Sequence, residues 1–325
     1  MRGIRLLAVG ALIVAPLTLS ASSAEAALTP TVPTCGMTIT HSVKLTSDLT
    51  CSSGPAILIG PETTPIIVDL GGHTITSTDS TAYAIEGLTT IRNGTIRAAY
   101  IDHEPSGTMT LQHMVIDGGE TSVTFGEIDA YNSTFIHDAA LYGSGASIDA
   151  EHDVFIGGSS PYTFALGGFQ TSVTAVADTI SGYDTGVSVW DTDSGVHLSG
   201  NHIERNRIGV STGGGGLTIT AGSLSKNIIS ANSGDGIFLG SGNTLTISGN
   251  TLSLNGGDGI HIDTTDSVSY AAIHLTMGGN KALMNAGWGV EVTGTEPTGL
   301  TVTDGGGNIA KQNVNGGCSA GIACT

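Results

Sequence analysis

The chain is poor in basic side chains, in charge overall and in aromatic rings. Only 10 of its 325 residues are Lys or Arg, against 28 Asp or Glu, and aromatic residues make up 5%. A nucleic-acid-binding surface needs clustered basic groups that neutralise phosphates, and the few basic residues here are spread along the whole sequence. The composition therefore argues against nucleic acid and against anionic membranes as partners.

Long apolar runs are also missing, with one exception at the N-terminus. Arg2 and Arg5 precede an apolar run over residues 6–19, and residues 24–26 (AEA) have the small-x-small pattern of a signal-peptidase site. The run is too short for an ordinary membrane span. We expect residues 1–26 to be a signal peptide and the mature protein to be secreted, extracellular and soluble. Cleavage would remove two Arg and one Glu, which changes the formal net charge from −18 to −19.

The cysteines are few and lie at the two extremes of the mature chain. Four are present, as Cys35 with Cys51 and Cys318 with Cys324. Three pairings are possible in principle, and export together with sequence proximity favours the two local disulfides. Metal binding by these thiols is the weaker alternative, because no CxxC spacing or neighbouring His completes a zinc site. We predict an N-terminal cap over residues 27–56 and a C-terminal cap over residues 314–325.

Between the caps the sequence repeats. It has 49 Gly and short Ile, Val, Leu and Thr runs broken by Gly, Asn and Asp, which are typical of strands. Pairs of Asn five residues apart recur every 23 to 30 residues, at Asn201/Asn206, Asn227/Asn232, Asn250/Asn255, Asn280/Asn285 and Asn308/Asn313. Such a period predicts a solenoid whose coils stack on one another.

A second column of short strands follows the Asn pairs, in "GVSV" (186–189), "GVST" (209–212), "GIFL" (236–239), "GIHI" (259–262) and "GVEV" (289–292). Within one coil we predict strands at residues 245–247, 251–254 and 259–262, with a tight turn at 248–250. Alternation along a strand then places Ile247, Leu252, Ile260 and Ile262 inside. We expect the Asn residues to form amide ladders and to supply the left-handed backbone of the corners.

These features resemble the right-handed parallel β-helix proteins of the pectin-lyase-like and NosD-like superfamily. The resemblance rests on the Asn pairs, on the "GDGI" coils and on "IIVDLGGHTI" at residues 66–75. It implies an all-β, single-domain right-handed parallel β-helix of about ten coils over residues 57–313, with disulfide-stapled ends. Because this fold carries lyases, hydrolases, epimerases, adhesins and binding proteins, the resemblance predicts the fold far more narrowly than the function.

Several outward residues are candidates for chemistry. Asp258, His261 and Asp263 lie in "GGDGIHID"; Asp258 reads as a turn residue of the repeat, whereas His261 and Asp263 share one exposed face and could perform acid/base catalysis. The stretch "AYIDHEP" (99–105) distantly resembles the DPHE/DPHD motif of alginate epimerases but lacks its internal proline.

Two further surfaces could bind ligands. Trp190 with Asp191 and Asp193 has the composition of a sugar site, in which a ring stacks on a pyranose and carboxylates accept hydroxyl hydrogen bonds. The alternative is a Trp that packs against the solenoid wall. An outward column of Gln112, Asp129 and Asp149 is predicted to place two carboxylates about 5 Å apart, where calcium could be shared.

The sequence therefore predicts a secreted, monomeric protein that binds an extracellular polysaccharide. If the acidic groups form an active site, it would also cleave that polysaccharide, as a lyase or a glycoside hydrolase. The competing prediction is a non-enzymatic cell-surface or matrix protein with a structural or adhesive role. No cofactor is required by any motif, and calcium is the one candidate ion.

Overall fold

The computed structural model describes residues 28–60, 66–80, 83–87, 89–103, 107–190, 195–213, 220–240, 242–265, 272–294, 299–319 and 322–325. Within these ranges the regular elements are 36 β-strands that pair in parallel. No helix in this part of the chain is long and apolar enough to cross a membrane. The predicted signal peptide lies outside the described residues, so it stays a prediction.

The strands form three faces of a solenoid, and each face is a column of parallel strands. The first face contains β1 (Thr29–Thr31), β3 (Val43–Leu45), β6 (Ile66–Asp69), β13 (Glu127–Tyr131), β16 (Ser147–Glu151), β19 (Ser172–Val176), β22 (Gly195–Ser199), β25 (Thr220–Ser225), β28 (Asn243–Ser248), β31 (Ile273–Gly278) and β34 (Leu300–Gly306). The second face contains β4 (Leu49–Cys51), β7 (Thr74–Ser77), β14 (Thr134–Ile136), β17 (Val154–Ile156), β20 (Thr179–Ser181), β23 (His202–Glu204), β26 (Ile228–Ser230), β29 (Thr251–Ser253), β32 (Lys281–Leu283) and β35 (Ile309–Lys311).

Two long strands, β9 (Thr89–Arg97) and β11 (Thr108–Asp117), run through both of these faces and join them into one 23-stranded sheet. The third face is a separate 13-stranded sheet of β2 (Met37–Ile39), β5 (Ile57–Ile59), β8 (Tyr83–Glu86), β10 (Tyr100–His103), β12 (Glu120–Thr124), β15 (Ala140–Ser144), β18 (Phe164–Phe169), β21 (Thr185–Trp190), β24 (Ile208–Thr212), β27 (Ile237–Leu239), β30 (Ile260–Asp263), β33 (Trp288–Thr293) and β36 (Gly316–Cys318). The predicted solenoid of about ten coils is confirmed, and the coils at its two ends bring the third face to 13 strands.

The core is a continuous stack of aliphatic side chains inside the three faces. Ile247, Leu252, Ile260 and Ile262 are each 0% exposed, as alternation along the strands predicts. Each such side chain contributes about 1.5–3 kcal/mol on burial. Because every coil covers its neighbour, no coil has a complete core of its own.

The Asn residues form two ladders inside the corners, which confirms that part of the prediction. The backbone N–H of Asn227 donates to Asn250 Oδ1 at 2.9 Å, and that of Asn250 donates to Asn280 Oδ1 at 3.1 Å. A second ladder links Asn206, Asn232, Asn255, Asn285 and Asn313 in the same way. The ladders fix the register of neighbouring coils.

The left-handed backbone, however, does not lie at the ladder Asn residues, so that prediction was wrong. Among the described residues a positive φ, between 54° and 74°, occurs one position earlier, at Gly200, Arg205, Lys226, Ala231, Gly249, Leu254, Gly279, Met284, Gly307 and Gln312. The Asn must turn its side chain inward to reach the next coil, so the bend is made by the preceding residue. That residue then points outward, and Leu254 is 58% exposed.

The predicted disulfides Cys35–Cys51 and Cys318–Cys324 are both formed. The first joins the loop before β2 to β4, and the second lies beside the last strand, β36. Strands β1 to β4 fall inside the segment predicted as an N-terminal cap and pair in parallel with the following coils. The exact limits of the caps stay a prediction.

Candidate functional site

The third face carries an outward column that the repeat predicted residue by residue. Register places Ser188 opposite Ser211, Ser211 opposite Phe238, Phe238 opposite His261, and His261 opposite Glu291. Successive side chains of a strand alternate between core and solvent, so the buried neighbours Ile260 and Ile262 fix His261 on the outside. The predicted column is confirmed.

His261 is half-buried and contacts side chains from three successive coils. Its Nδ1 lies 3.1 Å from Asp235 Oδ2 and 3.9 Å from Asp258 Oδ2, and its Nε2 lies 2.9 Å from Thr293 Oγ1. The ring of Phe238 packs edge-on against the imidazole, with 5.3 Å between centroids. We call Asp235, Asp258 and His261 the histidine cluster.

The two carboxylates of the histidine cluster are held by the backbone of the next coil. The N–H of Asp258 donates to Asp235 Oδ1 at 2.7 Å, and the N–H of Trp288 donates to Asp258 Oδ1 at 2.5 Å. In each carboxylate the other oxygen, Oδ2, is left to face His261. Asp258 thus has the turn role that the repeat indicates and also contributes to the surroundings of His261.

The electrostatics of the histidine cluster favour bound protons. The hydrogen bond from Asp235 raises the pKa of His261 above its ordinary value, although burial opposes this. Burial, followed by contact with Glu291, raises the pKa of Asp258 well above the usual range of a carboxyl. An imidazole and a carboxyl that both hold protons near neutral pH are chemically able to donate or accept one.

Asp263, the other predicted partner of His261, is directed elsewhere. Its Oδ1 accepts hydrogen bonds from Thr265 N at 2.9 Å and from Thr265 Oγ1 at 2.6 Å. Burial alone would raise the pKa of Asp263, but these hydrogen bonds outweigh it and lower the pKa. The structure therefore brings His261 together with Asp235 and Asp258, while Asp263 lies at the edge of the group.

Trp190 belongs to a cluster of three aromatic rings on the same outer face. The ring of Phe164 lies 5.9 Å from that of Trp190, nearly perpendicular to it, and 6.0 Å from that of Tyr142. All three side chains are half-buried, so each keeps part of its ring in solvent. We call them the aromatic cluster. Asp191 and Asp193 lie outside the described residues, and their predicted role stays a prediction.

A shallow cavity of about 250 Å³ adjoins the aromatic cluster at Phe164. Tyr100, Tyr162 and Asp138 are among the residues that line it. Tyr162 is 92% exposed, an unusual position for a ring unless it serves a binding surface. Residues 102–106, which include most of the epimerase-like motif, have no described side chains.

A second acidic group lies on the first face. Oxygens of Glu127, Asp129 and Asp149 all lie within 4.8 Å of one another; we call these residues the acid cluster. Burial, and then repulsion from Glu127 and Asp149, raises the pKa of Asp129 to about 6. The predicted adjacency of Asp129 and Asp149 is present, and whether they bind a metal stays a prediction.

The predicted place of Gln112 in that column was wrong. Register places Thr110 opposite Asp129 and Gln112 opposite Tyr131. The cause is β11, which continues for ten residues through two faces without the usual corner, so the spacing of its repeat differs from that of later coils.

The chain was compared with known proteins by family model, by curated sequence and by structure. Residues 131–293 match the model of a family described as periplasmic copper-binding protein (NosD). No curated protein matches. A mutant of the periplasmic alginate epimerase AlgG is similar in structure, with a TM-score of 0.54, 14% identity, and coverage of 85% of this chain and 74% of that one. The Dettilon tailspike protein gp208 is similar with a TM-score of 0.51, 14% identity, and coverage of 87% and 62%.

Proposed function

The chain belongs to the NosD family, whose model matches half of it, and from this premise we propose that it is an exported, monomeric β-helix protein that binds an extracellular polysaccharide along its third face. The observation that carries the proposal is the aromatic cluster of Tyr142, Phe164 and Trp190. The two disulfides indicate an oxidising compartment, as export requires.

The third face has the dimensions and the chemistry for an extended sugar chain. An aromatic ring packs against the apolar face of a pyranose, and carboxylates accept hydrogen bonds from its hydroxyls. Register places Trp190 three strands before Asp263 in one outward column, which is about 14 Å at about 4.8 Å per strand. That distance suits a few sugar units between the aromatic cluster and the histidine cluster.

The structural comparisons support the proposal only in outline. At 14% identity, the likeness to an alginate epimerase and to a tailspike protein shows a shared fold. The substrate class therefore rests on the residues of the third face and not on those two proteins.

Cleavage of the bound polysaccharide is the finer part of the proposal. His261 and Asp258 both favour the protonated state, so either could protonate a leaving glycosidic oxygen while Asp235 stays ionised. Elimination from a uronate would also need a cation beside the sugar carboxylate. Arg205 and Arg207 are each already paired with a carboxylate, so hydrolysis is the better supported of the two reactions.

A non-enzymatic scaffold is the competing function, and one observation favours it. Asp235 and Asp258 each accept a backbone hydrogen bond from the next coil, which alone explains why carboxylates occupy these corners. In that case the histidine cluster stabilises the stack and performs no reaction.

The family description names copper, so we tested whether the described residues suit it. Copper(I) prefers sulfur ligands, but the four cysteines form disulfides and Met109, Met114 and Met277 are buried in the core. The histidine cluster offers one imidazole and two carboxylates. These residues do not match a sulfur-based copper site, and the proposal uses no copper.

Calcium is the ion that the acid cluster would suit, because calcium takes carboxylate oxygens as ligands. We propose that Asp129 and Asp149, with Glu127, share such an ion when it is available. It would offset the repulsion that raises the pKa of Asp129.

The test is to titrate the purified mature protein with neutral and acidic polysaccharides, with and without calcium. Calorimetry would measure binding, and reducing ends and the absorbance of unsaturated products would detect hydrolysis and elimination. Trp190→Ala should weaken binding by about 1–3 kcal/mol and leave the melting temperature unchanged. Phe125→Ala, at an exposed ring outside the aromatic cluster, is the matched control and should bind normally.

Unchanged affinity together with a lower melting temperature in Trp190→Ala would refute the role of the aromatic cluster. If binding persists but no product forms with any polysaccharide, the protein is a binding protein and not an enzyme. Where product does form, His261→Ala and Asp258→Asn should abolish it while binding remains.

A further inference from the structure

The first Asn ladder has a regular pattern of donors and acceptors. The side-chain Nδ2 of Asn201 donates to Asn227 Oδ1 at 3.0 Å and to the carbonyl of Ala175 at 2.8 Å, while the N–H of Asn201 donates to the same Oδ1 at 2.9 Å. Each amide therefore offers one oxygen to the coil before it and donates from its nitrogen to two acceptors. Both hydrogens of the amide are used, as a buried polar group requires.

Two aspartates continue this ladder towards the N-terminus. The N–H of Asp178 donates to Asn201 Oδ1 at 2.8 Å, and the N–H of Asp153 donates to Asp178 Oδ1 at 2.7 Å. The N–H of Ser133 then donates to Asp153 Oδ1 at 2.6 Å. Asp153 and Asp178 are each 1% exposed, so carboxyl groups occupy positions that are filled by amides in later coils.

The exchange of amide for carboxyl leaves one atom mismatched. The ladder needs a donor at the position of Nδ2, and an ionised carboxylate has only acceptors. Asp178 Oδ2 lies at this position, is buried, and has no hydrogen-bond partner. The register that pairs Ala150 with Ala175 places the carbonyl of Ala150 where the ladder provides an acceptor. A proton on Oδ2 would restore the missing donor.

We propose that Asp153 and Asp178 are carboxylic acids in the folded protein, so that the ladder takes up protons on folding and the stack is more stable in acid than in base. The proton on Asp178 takes the place of one amide hydrogen of an Asn. The N-terminal part of the ladder is thereby a proton-binding site, whereas the Asn part is indifferent to pH.

The surroundings of both carboxyls agree with this assignment. Burial raises the pKa of Asp178 to about 8 and that of Asp153 to about 7, against the opposing effect of the backbone N–H groups. The N–H of Val176 also lowers the pKa of Asp178, without completing a hydrogen bond to Oδ2. Among the groups that face the pair, Glu151 carries charge, and it is negative. Ser133 and Asn201 on the neighbouring coils are neutral.

The direction of the pH effect follows from proton binding. In the unfolded chain these carboxyls ionise near pH 4, whereas in the folded protein they hold protons to about pH 7 and pH 8. The folded state binds more protons within that window, so stability falls as the pH rises through it. Below about pH 4 both states are protonated and the effect is complete.

The experiment compares melting temperatures of the full mature chain from pH 4.5 to pH 8.5. The wild type should melt at least about 5 °C lower at pH 8 than at pH 5. The double variant Asp153→Asn/Asp178→Asn restores amides to the ladder, so it should match the wild type near pH 5, exceed it at pH 8 and lose most of the slope. A carbon-13 NMR titration of the aspartate carboxyls should show two that stay protonated at pH 6.

Glu151→Gln is the matched control, because it removes a negative charge from the same coil at a half-exposed position. It should keep most of the slope. The proposal is overturned if the double variant retains the wild-type slope, if it is less stable than the wild type at pH 8, or if every aspartate carboxyl ionises below pH 6.

Discussion

The acid cluster and the histidine cluster are both groups of carboxylates on outer faces of one solenoid, yet they differ in how their charge is balanced. The acid cluster contains oxygens alone, and repulsion between them helps to raise the pKa of Asp129 to about 6. The histidine cluster includes an imidazole 3.1 Å from Asp235, and its carboxylates also accept backbone hydrogen bonds.

The difference indicates that one repeat can produce two kinds of acidic site. A strand position such as Asp129 is free of the backbone, so its charge can be balanced only by a cation or a proton from solvent. A corner position such as Asp258 is built into the hydrogen bonding of the stack. The acid cluster should therefore respond to ions, and the histidine cluster to substitution and to pH.

The largest expected effect is on stability. Asp258→Ala leaves the N–H of Trp288 without its acceptor, so we expect the free energy of unfolding to fall by about 1–3 kcal/mol. Asp149→Ala relieves repulsion in the acid cluster and should leave stability unchanged or slightly increased. Urea denaturation of the two variants measures this directly. Equal losses would show that the two clusters do not differ as described.

Calcium should have the next largest effect. If the acid cluster binds calcium with the millimolar affinity of extracellular sites, 10 mM calcium should stabilise the protein by about 1 kcal/mol. Magnesium, which keeps its water shell more strongly, should do less. Asp129→Asn/Asp149→Asn should remove the calcium effect, whereas Asp258→Asn should keep it. A calcium response that survives in the first variant would place the ion elsewhere.

The smallest effect is a titration shift within the histidine cluster. In Asp235→Asn the pKa of His261 should move down towards its ordinary value, because the main cause of its elevation is the hydrogen bond to Asp235. Since the folded-state pKa of His261 is raised, its contribution to stability is present below about pH 6.5 and is lost as the pH rises through the folded-state value. Proton NMR of the imidazole across pH 5–9 would measure the shift. An unchanged pKa would mean that Asp235 does not govern His261.

The sequence predicted most of the fold because the repeat is local and regular. Residues that recur at the same point of each coil, such as Asn227 and Asn250 or Phe238 and His261, must lie next to each other once the coils stack. The column was therefore readable before any coordinates. It failed at Gln112, where a long strand replaces a corner and changes the spacing.

The candidate sites were only half predictable, because their contacts run diagonally between columns. Asp235 was recognised as the equivalent of Asp258, but its contact with His261 joins a corner of one coil to a strand of the next. Tyr142 and Phe164 reach Trp190 through ring orientations that no spacing encodes. Glu127 was missed because its neighbour Asp129 alone fitted the column.

The corners have a consequence for how such a chain can evolve. At each ladder position an inward Asn is fixed by its partners, while the left-handed residue just before it points outward and is Gly, Lys, Arg, Ala, Leu, Met or Gln in different coils. Mutation at the first position is constrained by every neighbouring coil, and mutation at the second is constrained only by a modest backbone preference. Selection can therefore rewrite the outer edges of the solenoid, one coil at a time, without disturbing the inheritance of the fold.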